Sequence, residues 1–244
     1  MHLTSLIIVS LSLITAVSPV VGQDISGVVL PFREVKVSSP VQSFITELKV
    51  REGARVKKGD LLAQLYVRRE ALEMERYEAA LEKRKFENEG AKNLFADQLI
   101  SEDEALASEI ELRLARLQFK IAEEAVRLRQ IRAPISGVVV ERHYEAGEMV
   151  TVGEPLFKLV DISSVFVQVY VSMETARTLR EGTTVRLSFP ELGEDGPELQ
   201  GTVDFVDPQV DPASGLLKVK VLASNEERMV KPGLRAQLQV GPDE

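Results

Sequence analysis

Pro40-Val41-Gln42-Ser43-Phe44-Ile45 opens a stretch that runs on through Gly53, Val56, Gly59, Leu62 and Leu65. Ninety-four positions later, Pro134-Ile135-Ser136-Gly137-Val138-Val139 opens a second stretch through Gly147, Val150, Gly153, Leu156 and Leu159. Under that one shift Pro40/Pro134, Glu47/Glu141, Gly53/Gly147, Val56/Val150, Gly59/Gly153, Leu62/Leu156 and Leu65/Leu159 coincide. Both copies have β-rich runs punctuated by turn glycines, where a left-handed backbone carries no steric cost. The pattern predicts one small β-domain, built from two halves and closed by strand exchange, with a long insertion between them.

The insertion has a different texture. From about Arg68 to Arg132 there is no Pro, and Glu, Lys, Arg, Ala and Leu dominate, as in long helices. Ala107, Ile110, Leu114, Leu117, Ile121, Ala125 and Leu128 fall three or four apart, a coiled-coil stripe with one four-residue step too many. The spacing assigns that stripe to the contact with a partner helix. In the first half Leu72, Ala79 and Phe86 recur every seven, as do Met74 and Leu81. Gly90 weakens that helix. A break is expected near Asp97-Gln98-Leu99-Ile100, with Ser101 as N-cap and Glu104 three residues on, a capping box. The prediction is an antiparallel helical hairpin with arms of about 30 residues, each roughly 45 Å long. Its tip carries Leu94, Phe95, Leu99 and Ile100. Such residues either close the end of the hairpin or await a partner protein, since exposed apolar clusters mark interaction sites.

Working outward, residues 23–66 form a leading strand and the first half-motif, 67–131 the hairpin, and 132–160 the second half. Residues 161–244 return to short strands with one helix, Met173 to Arg180, capped by Ser172 and stopped by Gly182. Asp207-Pro208 and Asp211-Pro212 mark a bend. This is the signature of a small β-barrel or sandwich. At the other end, Leu3 to Val17 is uncharged and short for a helix that spans a bilayer. With small residues near Gly22, residues 1–22 read as a secretory signal, with an uncleaved anchor as the alternative; either way the mature chain is expected outside the cytoplasm.

Composition removes most chemistry. The chain has 244 residues, no Cys and no Trp, and a net charge of −8. The acidic balance, with charges mixed along the chain, excludes a nucleic-acid partner, which demands a basic face. Without Cys, and with His2 and His143 as the two histidines, no Cys/His cluster can bind zinc. No Gly-rich phosphate loop precedes a helix. Glu73, Glu75, Glu78 and Glu82 sit among Arg76, Lys83, Arg84 and Lys85, which reads as pairing on a helix surface. No cofactor, catalytic residue or metal ligand is expected.

Each half-motif resembles half of a biotinyl/lipoyl carrier domain. In carriers the cofactor sits on a Lys of the tight turn joining the halves. Here the whole arm, from about Tyr66 to Gln130, occupies that place, and Lys57 and Lys58 lie inside the first half. A carrier domain and an envelope coiled-coil scaffold without transport stand as alternatives.

The fold class is thus mostly β with a long α-helical hairpin: a split lipoyl-like β-domain plus a small β-barrel. That combination resembles the periplasmic adaptor subunits of efflux pumps, the membrane fusion proteins of the HlyD family. Ile131-Arg132-Ala133-Pro134-Ile135-Ser136-Gly137-Val138-Val139, Asp207-Pro208-Gln209-Val210-Asp211 with Ser214-Gly215, and Lys231-Pro232-Gly233-Leu234 carry the likeness. The resemblance implies a periplasmic adaptor that joins an inner-membrane transporter of the resistance-nodulation-division type to a TolC-type outer-membrane channel. It also implies homo-oligomeric rings, often of six. It places Leu94, Ile100, Ser101 and Glu104 at the family's tip motif, with Asn93 where Arg is usual. Many relatives carry a further membrane-proximal β-domain from both termini, for which this sequence leaves little room.

Overall fold

The computed structural model describes residues 25–193 and 196–239. The expected signal, residues 1–22, lies outside them. The described chain is mostly β. In order it forms β1 (Ile25–Ser38), β2 (Ser43–Leu48), β3 (Arg55–Val56) and β4 (Leu61–Leu65), then α1 (Arg68–Ala96) and α2 (Glu102–Arg127). β5 (Gln130–Arg132), β6 (Gly137–Arg142), β7 (Met149–Val150) and β8 (Pro155–Val171) follow. The last part is α3 (Met173–Ala176), β9 (Thr184–Ser188), β10 (Leu199–Val210), β11 (Leu217–Ser224) and β12 (Arg235–Gln239).

The repeat folds as two interlocked halves. Gly53 and Gly147 both take positive φ, as do Gly59 and Gly153, which only glycine does without strain. The Gly53 N–H donates to the Val139 carbonyl at 2.8 Å, and its counterpart, the Gly147 N–H, donates to the Ile45 carbonyl at 2.8 Å. Gly59 donates to Ala133 at 2.8 Å, and Gly153 to Ser39 at 2.9 Å. Each acceptor is itself the repeat mate of the other, so every turn is held by the opposite half. β3 pairs with β6, and β2 with β7, in the same crossed sense. Ile45, Val56, Leu62 and Leu65 share one buried core with Val139, Val150, Leu156 and Leu159. Neither half buries its apolar face alone, which is why they must meet across the insertion.

A second core belongs to the remaining strands. β1 pairs with β12, β12 with β9, β9 with β10, β10 with β11, β11 with β8, and β8 with β1, a closed ring without a free edge. Its interior holds Val29, Val167, Val169, Leu187, Val219, Val221 and Leu238, the alternate residues of their strands. Gly27 lies where β1 crosses β8, and a Cβ there would stand 2.5 Å from Val169 Cγ1. β1 and β8 are long enough to serve both cores, pairing from Gly27/Val169 to Ser38/Pro155.

Two local expectations change. The chain does not reverse at Asp207-Pro208: β10 runs on to Val210 through an irregular stretch of its register against β11, and the turn comes at residues 211–216, which include the expected Asp211-Pro212. Pro208 is tolerated because the register against β11 is interrupted between Val206 and Val210, leaving no ladder bond for it to break. The helix after Ser172 is one turn, Met173–Ala176, and Gly182 at φ +88° closes the loop beyond it.

Candidate partner interface

α1 and α2 leave the split domain together. At their base the Arg129 guanidinium meets Glu70 at 2.6 Å and donates to the Ala125 carbonyl at 3.0 Å. Both partners are more than four-fifths buried. Further out Arg84 meets Glu111 at 2.6 Å, and the buried Asn88 amide donates to Ser108 Oγ at 3.4 Å. α1 numbers rise as α2 numbers fall, so the two helices run in opposite directions. A polar Asn at a buried seam position favours one register over its neighbours.

The contact face differs from the expected one. On α2 the residues turned toward α1 are Ala105, Ser108, Leu112, Ala115, Phe119, Ala122 and Val126, in strict alternation of three and four. On α1 they are Glu70, Met74, Tyr77, Leu81, Arg84, Asn88 and Ala91. Of the expected stripe, Ile110, Leu114, Leu117 and Ile121 are exposed, Ile121 at 71%. Leu72, Ala79 and Phe86 also face solvent, Phe86 at 80%. Small residues at 115 and 122 let the helices approach closely, and larger neighbours on the stripe would hold them apart. The signal that points to the true face is its unbroken heptad, against the surplus step in the stripe of bigger residues.

The expected tip is formed by the end of α1 and the start of α2. The Leu99 N–H donates to the Leu94 carbonyl at 2.8 Å, and the Gln98 N–H to Phe95 at 2.9 Å. This is a Schellman closure, and Gln98 occupies its left-handed position at φ +59° where Gly is usual. Ser101 then caps α2. Its Oγ accepts the Glu104 N–H at 3.2 Å, while Glu104 Oε2 accepts the Ser101 N–H at 3.0 Å. Those bonds from the Ser101 backbone and hydroxyl hold the Glu104 carboxyl below its ordinary range. Ser101 and Glu104 therefore serve the turn itself. Leu94, Phe95 and Leu99 stand exposed, and Ile100 is partly covered. The six residues come together within one turn of chain at the far end of the helix pair.

Among the described residues no three His, Asp or Glu side chains gather to hold a metal ion. No helix of the described chain is long and apolar enough to cross a membrane. His143 lies 3.5 Å from Glu141, on the surface.

Residues 33–161 match the CzcB-like, barrel-sandwich hybrid domain, and residues 164–244 match the CusB-like, beta-barrel domain. The chain belongs to the CzcB-like family. Among curated relatives, the nodulation protein NolF of Rhizobium meliloti (strain 1021) is 27% identical over 240 residues, covering 89% of this chain and 64% of that protein. The solvent efflux pump periplasmic linker SrpA of Pseudomonas putida is 25% identical over 236 residues, 86% of this chain and 59% of that protein. The chain thus spans less than two thirds of either relative. Among solved structures, a MacA-MexA chimeric protein containing the Pseudomonas aeruginosa MexA alpha-hairpin domain superposes with a TM-score of 0.76 at 21% identity. It covers 89% of this chain and 80% of that one, a likeness of fold.

Proposed function

We propose that this chain is a non-catalytic periplasmic adaptor for efflux. It joins an inner-membrane transporter of the resistance-nodulation-division type to a TolC-type outer-membrane channel, and several copies form a ring, often of six. The observation that carries this reading is the insertion itself. Two helices stand between halves that hold each other's turns, at the position where a carrier domain presents its cofactor. What such an element supplies is reach and a tip. The proposed division follows the sequence: residues 23–66 and 132–160 for the split lipoyl-like domain, 67–131 for a projecting hairpin, 161–244 for a barrel that docks on the transporter. Leu94, Phe95, Leu99, Ile100, Ser101 and Glu104 are the proposed channel-facing residues. Membership of the CzcB-like family and the likeness to an efflux-pump linker support the class of partner. Energy comes from the transporter, since the sequence holds no Gly-rich phosphate loop before a helix.

The test is crosslinking in intact cells followed by purification of the chain from membranes. The proposal expects a multi-span transporter and an outer-membrane channel in the product. Recovery of neither sinks it.

A further inference from the structure

Arg55, Lys57 and Arg228 line one cleft of about 650 Å³ between the split domain and the barrel. That volume lies in the range of small-ligand sites. Val56 is buried in the core, so its neighbours Arg55 and Lys57 both turn outward. Arg228 comes from the loop between β11 and β12. The buried Asn225 side chain ties that loop down: it donates to the Ile162 and Val230 carbonyls at 2.9 and 2.8 Å, and its Oδ1 accepts the Val230 N–H at 3.2 Å. Within the loop Arg228 holds a left-handed backbone at φ +56°, which costs a non-glycine residue free energy. None of the three side chains has a hydrogen bond or ion pair among the described residues. A strained cation kept beside two others, all unpaired, points to a ligand that uses them.

The internal repeat shows that the fold itself does not ask for this charge. The repeat mates of Arg55 and Lys57 are Met149 and Thr151, flanking Val150, which is buried as Val56 is. The acid that follows them is common to both halves. Asp60 Oδ2 accepts the Lys57 N–H at 2.8 Å, and Glu154 Oε2 accepts the Thr151 N–H at 2.9 Å. Asp60 therefore belongs to the turn. Asp161 lies where β8 passes from one core to the other, and its Oδ1 accepts the Ser163 N–H and hydroxyl at 3.0 and 2.7 Å. Both carboxylates border the cleft, and each keeps one oxygen without a partner among the described residues. What the first half adds, on the side that meets the barrel, is a pair of cations. Arginine forks and an ammonium match the oxygens of a phosphate. The spare carboxylate oxygens accept hydroxyl donors beside it.

We propose that this cleft binds a small phosphate ester of a polyol, with Arg55, Lys57 and Arg228 on the phosphate and the spare oxygens of Asp60 and Asp161 on its hydroxyl groups. A ligand held there touches both the split domain and the barrel, and so braces one against the other. Soluble esters and lipid headgroups share this chemistry.

Calorimetric titration of the purified chain with glycerol 3-phosphate tests the site, with glycerol and inorganic phosphate alongside. The ester should bind, and more tightly than phosphate, while glycerol gives no heat. Arg55→Met with Lys57→Thr installs the residues of the other half, which the same backbone already carries there. It should weaken binding by about tenfold or more. The mirror change, Met149→Arg with Thr151→Lys, should leave binding within about twofold, as a distant site does. Arg228→Gly should also weaken binding by about tenfold without lowering the denaturant midpoint, since Gly holds the left-handed backbone without strain. Loss of binding is then not loss of fold. Vesicles of phosphatidylcholine, with and without phosphatidylglycerol, separate the two sources. Sedimentation with the phosphatidylglycerol vesicles that excess glycerol 3-phosphate abolishes supports the site and assigns it to a lipid headgroup. Binding of the ester without sedimentation supports it and assigns it to a soluble ester. Binding of neither overturns the proposal, as does binding that Arg55→Met with Lys57→Thr leaves unchanged. Inorganic phosphate binding as tightly as the ester overturns the part given to Asp60 and Asp161.

Discussion

Gln98 and Ser101 show how single residues set the geometry of the proposed tip. Gln98 holds a backbone conformation that costs a non-glycine residue about 1 kcal/mol, and Gly is the residue this turn prefers. Gln98→Gly is therefore expected to stabilise the helix pair by about 0.5–1 kcal/mol, read as a rise in the denaturant midpoint. Ser101→Ala removes the cap and should cost about 1 kcal/mol, seen as faster amide exchange in the first turn of α2. The same turn should respond to acid. The Glu104 carboxyl is held below its ordinary range in the folded chain by its bonds to Ser101. Its contribution is present above the unfolded carboxylate pKa and is lost as pH falls through the lower, folded value. Protection of the Glu104 N–H relative to its intrinsic exchange rate should fall across that acid window, and in Glu104→Gln that fall should vanish. This part of the molecule was legible, because a capping box is a local signal whose cause lies within four residues. The left-handed Gln98 was not, because no Gly marks it.

At the scale of elements, the seam between α1 and α2 separates what pattern reveals from what packing decides. Helix ends, the break after Ala96 and the crossed halves follow from punctuation in the sequence. Which stripe faces inward does not, because α2 carries two. The row of large residues is the more hydrophobic, yet the row with Ala115, Ala122 and Ser108 is inside, where small side chains permit close approach. Ala115→Leu should therefore overfill the seam and cost about 1–3 kcal/mol, while Leu117→Ser, on the outer face, should change the stability of a single chain by less than about 0.5 kcal/mol. Denaturant unfolding of both variants checks the assignment. A large loss for Leu117→Ser with tolerance of Ala115→Leu would reverse it. The exposed row is legible as a stripe but not as an outer face: one sequence states that a face is apolar without stating what covers it.

Across the whole molecule, the two halves of the split domain hold each other by bonds that involve neither helix. Gly53–Val139, Gly147–Ile45, Gly59–Ala133 and Gly153–Ser39 all lie below the arm. Replacing residues 66–128 by a two-residue Asn-Gly turn between β4 and β5, which pair directly with Leu65 opposite Arg129, should leave a folded β-body with both cores. Its circular dichroism should lose the helical component and keep a cooperative unfolding transition. The arm is tied to that body chiefly at its base. Glu70→Ala strands the Arg129 guanidinium in a mostly buried site and should cost about 2–3 kcal/mol, somewhat less than a fully buried pair because some water reaches it. The repeat that opens the sequence thus reports a body able to stand alone, and the helices report a task beyond it.

The task we propose is connection, and a photoreactive residue in place of Leu99 tests it most directly. In cells irradiated during growth, the account predicts a covalent product between this chain and an outer-membrane channel of the TolC type. The same probe at Ser26, on the barrel, should not give that product. A probe at Leu99 that captures nothing, or captures only proteins of the inner membrane, would contradict the claim that the tip reaches the channel.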